Sequence, residues 1–588
     1  MGRALGRRRT EREVFLKRRI CCGRLWRGGV TCAAFALLAL GCGGSHKSSS
    51  TVGAGAATTS GGSDATTSSS SNPKAFATFR VAQDENIDFL DPGLSSLPEG
   101  WFVLWNSYLP LIGYRHVSGP AGATLVPYLA EDLPKVSADG RTYRLKLRKG
   151  LKYSDGTPVK ASDFRASIER DYKLQSPGIG LFSNIEGAEE YFAALPKGTR
   201  PISGITSNDR TGAITIRLKR PQGDFEYVLA SEFAALVPAS SPAKDASTRP
   251  LPATGPYLIE SYQPNKEVVV VRNPHFEARR FDGNVPAGNP DKVTIDILDD
   301  PAAALTKTLD GQYDYDALQP PPDRVAGLEK KNKAQIEIYT PANTYYFFMN
   351  TRIAPFDSLK VRQAVNYAID REKLVRIYDG LAAPTENVLP PSLPQYKKLD
   401  LYPYNLAKAK QLVRQAGATA APVTVWTSDN NLTHAPEVGA YLAGVLKSIG
   451  LSAKLNTIGA ATYWTTIGNQ KAKAQIGFAD SYQDYPHPLD WFDPLLNGNR
   501  ITPIYNYNYA NFDDPAINAK IEALKKEPTL NGSVNAQWAA LDKTVMEQAP
   551  WAPFVNLEAI DTFGPEVDLG CYVQHVNYGF DFATICHK

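Results

Sequence analysis

The sequence holds little of what most catalytic and metal sites are made from. Its 588 residues include seven histidines, six cysteines and three methionines. Histidines this few and this scattered offer a thin inventory of general bases. There is no His-Glu-x-x-His zinc motif, no Gly-x-Ser-x-Gly elbow, no phosphate loop and no dinucleotide fingerprint. These absences weigh against an enzyme. A carboxylate pair for glycoside hydrolysis would leave no such trace. Long apolar runs are equally scarce. Only one stands out, which excludes a multipass membrane protein. No repeat recurs at solenoid spacing. With 43% hydrophobic and 21% charged residues, collagen, coiled coil and wholesale disorder are excluded too. A basic surplus is missing once the first residues are set aside. The formal charge is +4, but residues 1–41 carry ten Lys or Arg against two Glu. The remainder has 54 basic and 58 acidic residues, a net charge of −4. Such a body lacks the basic footprint that nucleic acid requires.

What is present begins with an export pattern. Arg7, Arg8, Arg9, Arg12, Lys17, Arg18 and Arg19 precede an apolar stretch over residues 28–41. That stretch is too short to span a membrane comfortably and has the layout of a signal peptide. It ends in Leu38-Ala39-Leu40-Gly41-Cys42, which resembles a bacterial lipobox, with Cys42 as the lipid-carrying first residue. Ala39 stands where leucine is commonest. Of the 30 residues from 43 to 72, 21 are Gly, Ser or Thr. A segment of that composition buries no core and acts as a tether. Residues 1–41 therefore read as a lipoprotein signal peptide, and 42–75 as the lipidated cysteine and a flexible Ser/Gly/Thr linker. Only Cys571 and Cys586 remain in the body. In an exported protein they are a disulfide candidate, with two free thiols as the alternative.

The body mixes strands and helices throughout. Tyr143, Leu145 and Leu147 alternate with polar residues, as do Ile214, Ile216 and Leu218, so both segments read as half-buried strands. Val268, Val269, Val270 and Val271 form the continuous β-branched run of a strand buried on both faces. Val361, Ala364, Val365, Ala368 and Ile369 have helical spacing. Asn405 can cap a helix stopped by Gly417, and Pro436 opens one ended by Gly450. No Ser/Gly-rich linker divides the body, which predicts lobes with chain crossovers.

Seven stretches in order resemble one family. They are Phe89-Leu90-Asp91-Pro92, the run from Leu125 to Glu131, the Tyr143 to Lys149 strand, and Ser154-Asp155-Gly156-Thr157-Pro158. Thr254-Gly255-Pro256-Tyr257, the block from Asn350 through Val361-Arg362-Gln363-Ala364 to Arg371, and Asp484-Tyr485-Pro486-His487-Pro488 complete the set. Together they resemble the extracellular solute-binding proteins, family 5, that serve ABC importers for oligopeptides, dipeptides and nickel. The resemblance implies an α/β, two-lobed periplasmic-binding-protein-like fold of type II, the large three-domain variety, with hinge-linked lobes. Expected boundaries are 76–115, 250–335 and 546–588 for lobe I, 116–249 for an inserted subdomain, and 336–545 for lobe II.

The resemblance also implies a function: a lipid-anchored, non-enzymatic receptor on the outer face of the bacterial cytoplasmic membrane. It would capture peptides between its lobes for an ABC permease and its ATPase subunits. It is expected to act as a monomer and to need no cofactor or metal. A receptor for oligosaccharide or nickel is the alternative, with a secreted hydrolase or a structural surface protein further off. An ammonium enclosed between lobes needs a carboxylate partner. Asp484 matches the position that supplies it in peptide-binding members, and Tyr482 and Gln483 would face the peptide main chain. Tyr346 is a candidate aromatic contact, and Asn86 and Asp88 lie where relatives face ligand. The plainer readings are a turn aspartate for Asp484, core packing for the tyrosines, and a loop histidine for His487, which replaces an acid. Arg362 is expected to pair with a nearby acid.

Overall fold

The computed structural model describes residues 76–83, 87–195, 200–430 and 433–588. The leader, Cys42, the linker and Asn86 lie outside the described residues. The predicted local signals appear as elements. Thr142–Lys146, Ala213–Arg217 and Glu267–Arg272 are strands. Leu359–Ala368, Leu406–Gln415 and Ala435–Ser448 are helices. The Asn405 side chain accepts from the Lys408 amide at 2.9 Å, a true N-cap. Gly417 and Gly450 take positive φ of 65° and 98°, the left-handed turn that ends a helix.

Three sheets organise the chain. A seven-stranded sheet has Phe76–Gln83 at its centre, parallel to Pro290–Ile297 on one side and Tyr315–Asp316 on the other. A six-stranded sheet holds Asn343–Met349 between Trp551–Leu557 and Ile476–Tyr482. A four-stranded sheet includes Thr142–Lys146 and Ala213–Arg217. Each sheet has its own buried apolar core. This is the two-lobed α/β architecture with a third, inserted unit.

The sheets place several edges differently from the expected ones. Ile336–Tyr339 belongs to the seven-stranded sheet, because it pairs with Ala559–Phe563. Trp551–Leu557 belongs to the six-stranded sheet, because it pairs with Asn343–Met349. Trp105, Leu109 and Tyr114 pack into the inserted unit's core, whereas Ala235, Val237 and Ala246 pack into that of the first lobe. In each case the deciding partner is more than a hundred residues away in sequence or lies beyond a turn.

The backbone passes between the two large sheets at two places. One is the link between Tyr339 and Asn343, the other is Glu558, between Leu557 and Ala559. Asn343 ties them together. It is fully buried. Its side-chain amide donates to the Pro341 carbonyl at 3.0 Å and the Leu557 carbonyl at 3.1 Å, and its oxygen accepts from the Leu557 amide at 2.8 Å. Asn556 returns a bond to the Asn343 carbonyl at 2.6 Å.

The inserted unit is fastened by charge. Arg170 on the helix Ala161–Leu174 forms a bidentate pair with Asp91, at 2.8 and 2.5 Å, and both side chains are buried. Arg170 also donates to the Pro242 and Lys244 carbonyls, which satisfies the remaining fork. The chain's end is fastened covalently. Cys571 and Cys586 are bonded, with Cα atoms 5.8 Å apart. The loop they close carries Phe580 and Phe582 into the first core and Tyr578 into the inserted one. Among the described residues Arg362 forms no ion pair with an acid. It donates instead to the Phe356, Asp357 and Gln548 carbonyls, because the helix Gly532–Glu547 ends against it with unpaired carbonyls.

Replacing Asn343 by alanine leaves buried main-chain groups at both crossings without partners. The expected loss is about 2–3 kcal/mol, read as a lower urea midpoint with an unchanged slope.

Candidate functional site

The strand Ile476–Tyr482 runs to the junction between the lobes. It pairs antiparallel with Asn343–Met349, in a register that sets Tyr345 opposite Asp480 and Asn343 opposite Tyr482. Side chains alternate along a strand. Phe478, Asp480 and Tyr482 therefore share one face with Tyr345, while Tyr346 points to the other. Tyr346 is fully buried and stacks on Trp551 with ring centres 3.6 Å apart. Tyr346 is thus packed in the core of the second lobe, and its neighbour Tyr345, also buried, shares the face of Asp480 and Tyr482.

Three tyrosines gather there. The Tyr345 and Tyr482 hydroxyls are hydrogen-bonded at 3.0 Å, and their rings meet at 79°. Tyr378, just after the helix Arg371–Ile377, meets the Tyr345 ring at 75° with centres 5.8 Å apart. Tyr482 remains 53% exposed, so this corner is open. Asp480 lies among them, half-buried. Desolvation pushes its carboxyl up to about 7 and the Tyr482 phenol up to about 12. Residue-by-residue reading of the sequence missed Asp480, Tyr345 and Tyr378. The alternation of Phe478, Asp480 and Tyr482 was the available signal.

Beyond Tyr482 the chain turns across the junction. The Gln483 amide donates to the Ala342 carbonyl at 2.9 Å, and its side chain donates to the Val576 carbonyl at 3.3 Å. Gln483 thus joins the second lobe to the disulfide-closed tail. Asp484 is exposed, and its amide donates to the Asp490 carboxylate at 2.7 Å. Tyr485 reaches the inserted unit, where its hydroxyl donates to Asp224 at 2.7 Å. His487 is buried, packed edge-on against Tyr227 and near Trp538. Its Nδ1 accepts from the Leu489 amide, and burial pushes its pKa down to about 4. A neutral, enclosed imidazole here is a packing element between units.

Asp88 is engaged by its own loop. Its carboxylate accepts from the Phe89 amide, from the Ser95 hydroxyl, and from the Ser96 amide and hydroxyl. That turn geometry accounts for its position without a ligand. Among the described residues one cluster has metal-donor types: Asp568, Cys571 and Cys586. Both sulfurs are in the disulfide, so no thiolate is offered. A depression of about 270 Å³ lies elsewhere on the first lobe, beside Arg80, Asp296, Lys307 and Tyr313. It shares no residue with the junction.

The family model for bacterial extracellular solute-binding proteins, family 5 Middle, matches residues 124–503. The chain belongs to that family. The glutathione-binding protein GsiB of Salmonella choleraesuis (strain SC-B67) is 27% identical over 466 residues, covering 76% of this chain and 84% of GsiB. Among solved structures, the clavulanic acid biosynthesis oligopeptide binding protein 2 is 25% identical with a TM-score of 0.76, covering 87% of this chain and 96% of that one. The unliganded open form of the murein tripeptide binding protein MppA is 22% identical with a TM-score of 0.75, covering 88% and 99%. This family 5 protein is therefore the substrate-binding protein of an ABC importer, not an enzyme, and works in the periplasm or outside the cell. No helix among its described residues is long and apolar enough to cross a membrane.

His487 makes one pH effect separable. Its folded pKa lies below its unfolded value of about 6.5. Stability from its neutral form is then lost as pH falls from about 6.5 toward 4. Urea unfolding across that range is expected to show wild type losing ground to His487→Gln as pH falls.

Proposed function

We propose that this protein is a lipid-anchored peptide receptor, binding short peptides at the interlobe junction and delivering them to a permease with ATPase subunits. The observation that carries the reading is the end of the strand Ile476–Tyr482. Its exposed Tyr482 is followed by Gln483 and the exposed Asp484, at the place where the two lobes meet. A strand end of this kind can pair with an extended peptide through main-chain groups. Asp484 would then meet the peptide's amino terminus. Relatives with glutathione, oligopeptide and murein tripeptide in their names support a peptide-like solute. Binding would draw the lobes together about the two crossings. The receptor acts as a monomer and requires no cofactor.

The anchor in this proposal is Cys42, lipidated after removal of residues 1–41, with the 42–75 linker as tether. Cys42→Ser should move the protein from the membrane fraction to the soluble envelope fraction. Retention in the membrane would count against lipidation.

A thermal-shift screen tests the ligand. Glutathione, peptides of two to eight residues, oligosaccharides and Ni²⁺ are compared on wild type and Asp484→Ala. A ligand at 100 times its dissociation constant stabilises by about 2.7 kcal/mol. Peptide stabilisation that is lost in Asp484→Ala and on acetylating the peptide amine is the expected result. Stabilisation by sugar or nickel alone would replace peptide with that solute.

A further inference from the structure

Several acids with little exposure in this fold are matched with donors, while Asp171 Oδ2 and Glu232 Oε1 are buried without one. Asp91 meets Arg170. Asp561 accepts from the Tyr315 and Tyr572 hydroxyls at 3.0 and 2.7 Å. Asp542 accepts from Asn387 and from the Val388 and Leu389 amides. Asp480, at the open corner, also has no such donor. Among the described residues no hydrogen bond or ion pair engages its carboxylate. The hydroxyls of Tyr345 and Tyr482, on the same face of the sheet, bond each other.

The surroundings of Asp480 suit a positive charge. Tyr345 carries Tyr378 and Tyr482 at nearly right angles to its ring, which gives a recess three aromatic walls. Aromatic faces attract cations, most strongly where water is thinned. A half-buried carboxylate beside such walls gains a partner when a cation arrives. Tyr482 at 53% exposure leaves the recess open to the junction.

We propose that the recess of Asp480, Tyr345, Tyr378 and Tyr482 is a subsite for a basic side chain of the ligand. This rests on the peptide-receptor reading and narrows it. The amino terminus goes to Asp484 in that reading, so a charge at Asp480 is a second one. The preferred solutes are then short peptides carrying an alkylammonium or guanidinium side chain near the amino end.

Binding a cation requires the ionised carboxylate, whereas burial holds the free one near neutrality. The groups facing it are the phenols of Tyr345 and Tyr482 on the paired strands, Tyr378 after its helix, and Tyr463 from the helix Ala460–Ile467. Glu437 stands behind Tyr378. None of the phenols ionises near neutral pH, since burial raises every one of them. Preference for the basic ligand is therefore set by Asp480 and shrinks as pH falls from 8 to 6.

The test compares Gly-Lys-Gly with Gly-norleucine-Gly by calorimetry. Both keep a free amino terminus and differ only in the side-chain ammonium. Wild type is expected to bind the lysine peptide about tenfold more tightly, roughly 1.4 kcal/mol. In Asp480→Asn that ratio should fall to about one, and in Tyr482→Leu it should fall part-way. Wild-type binding of the lysine peptide should also release protons at pH 7, seen as a dependence on buffer ionisation enthalpy. Equal affinities in wild type, or a preference that survives Asp480→Asn, overturn the subsite and leave the peptide receptor standing. Binding of neither peptide overturns the receptor reading and the subsite with it.

Discussion

Among the described residues the backbone crosses between the two large sheets at two places, and one buried amide holds those crossings side by side. Asn343 bonds to both crossings with a single side chain. A carboxamide suits this place because it donates and accepts at once without carrying charge. Everything at the junction takes its position from that tie. The strand Asn343–Met349 begins at the tie and fixes the register of Ile476–Tyr482. That register sets Asp480 beside Tyr345 and delivers Tyr482 to the open corner. A one-residue slip would turn each of these side chains to the opposite face.

Around the tie the units touch through contacts of different strength. The inserted unit is locked to the first lobe by the buried Arg170–Asp91 pair, which is bidentate and fully satisfied. Its contact with the second lobe is lighter: Tyr485 to Asp224, and His487 against Tyr227. The tail meets the second lobe through Gln483 and the Val576 carbonyl. The heavy fastening lies within one lobe and the light contacts lie across the junction. A hinged pair of lobes requires that division, since contacts across the junction must break and remake at little cost.

Much of this was legible in the sequence, where the cause was local. The Asn405 cap, the glycine stops at 417 and 450 and the alternation over residues 142–146 depend on neighbours a few positions away. The order of family motifs carried the two-lobed architecture. What stayed hidden depended on distant partners. Ile336–Tyr339 joins the first sheet through a strand more than two hundred residues later. The choice between Tyr345 and Tyr346 turns on which face of the sheet looks to the junction, and a run of four aromatics does not say. Asp88 reads as a polar loop residue whether it serves ligand or its own turn. Asp480 was overshadowed by the stronger motif at Asp484.

The strand order also bears on how the molecule is made. The second lobe's sheet is drawn from one continuous stretch, Asn343–Met349 through Trp551–Leu557. The first lobe's sheet needs both extremes, with Phe76–Gln83 at its centre and Ala559–Phe563 between Tyr315–Asp316 and Ile336–Tyr339. A chain emerging from its amino end can complete the second lobe while the first still waits for its last strand. The earliest of the described strands thus belongs to the latest lobe to close, and some 480 residues of translation separate Phe76–Gln83 from Ala559–Phe563 in the same sheet. During that interval the first lobe's sheet lacks the strand that links Tyr315–Asp316 to Ile336–Tyr339.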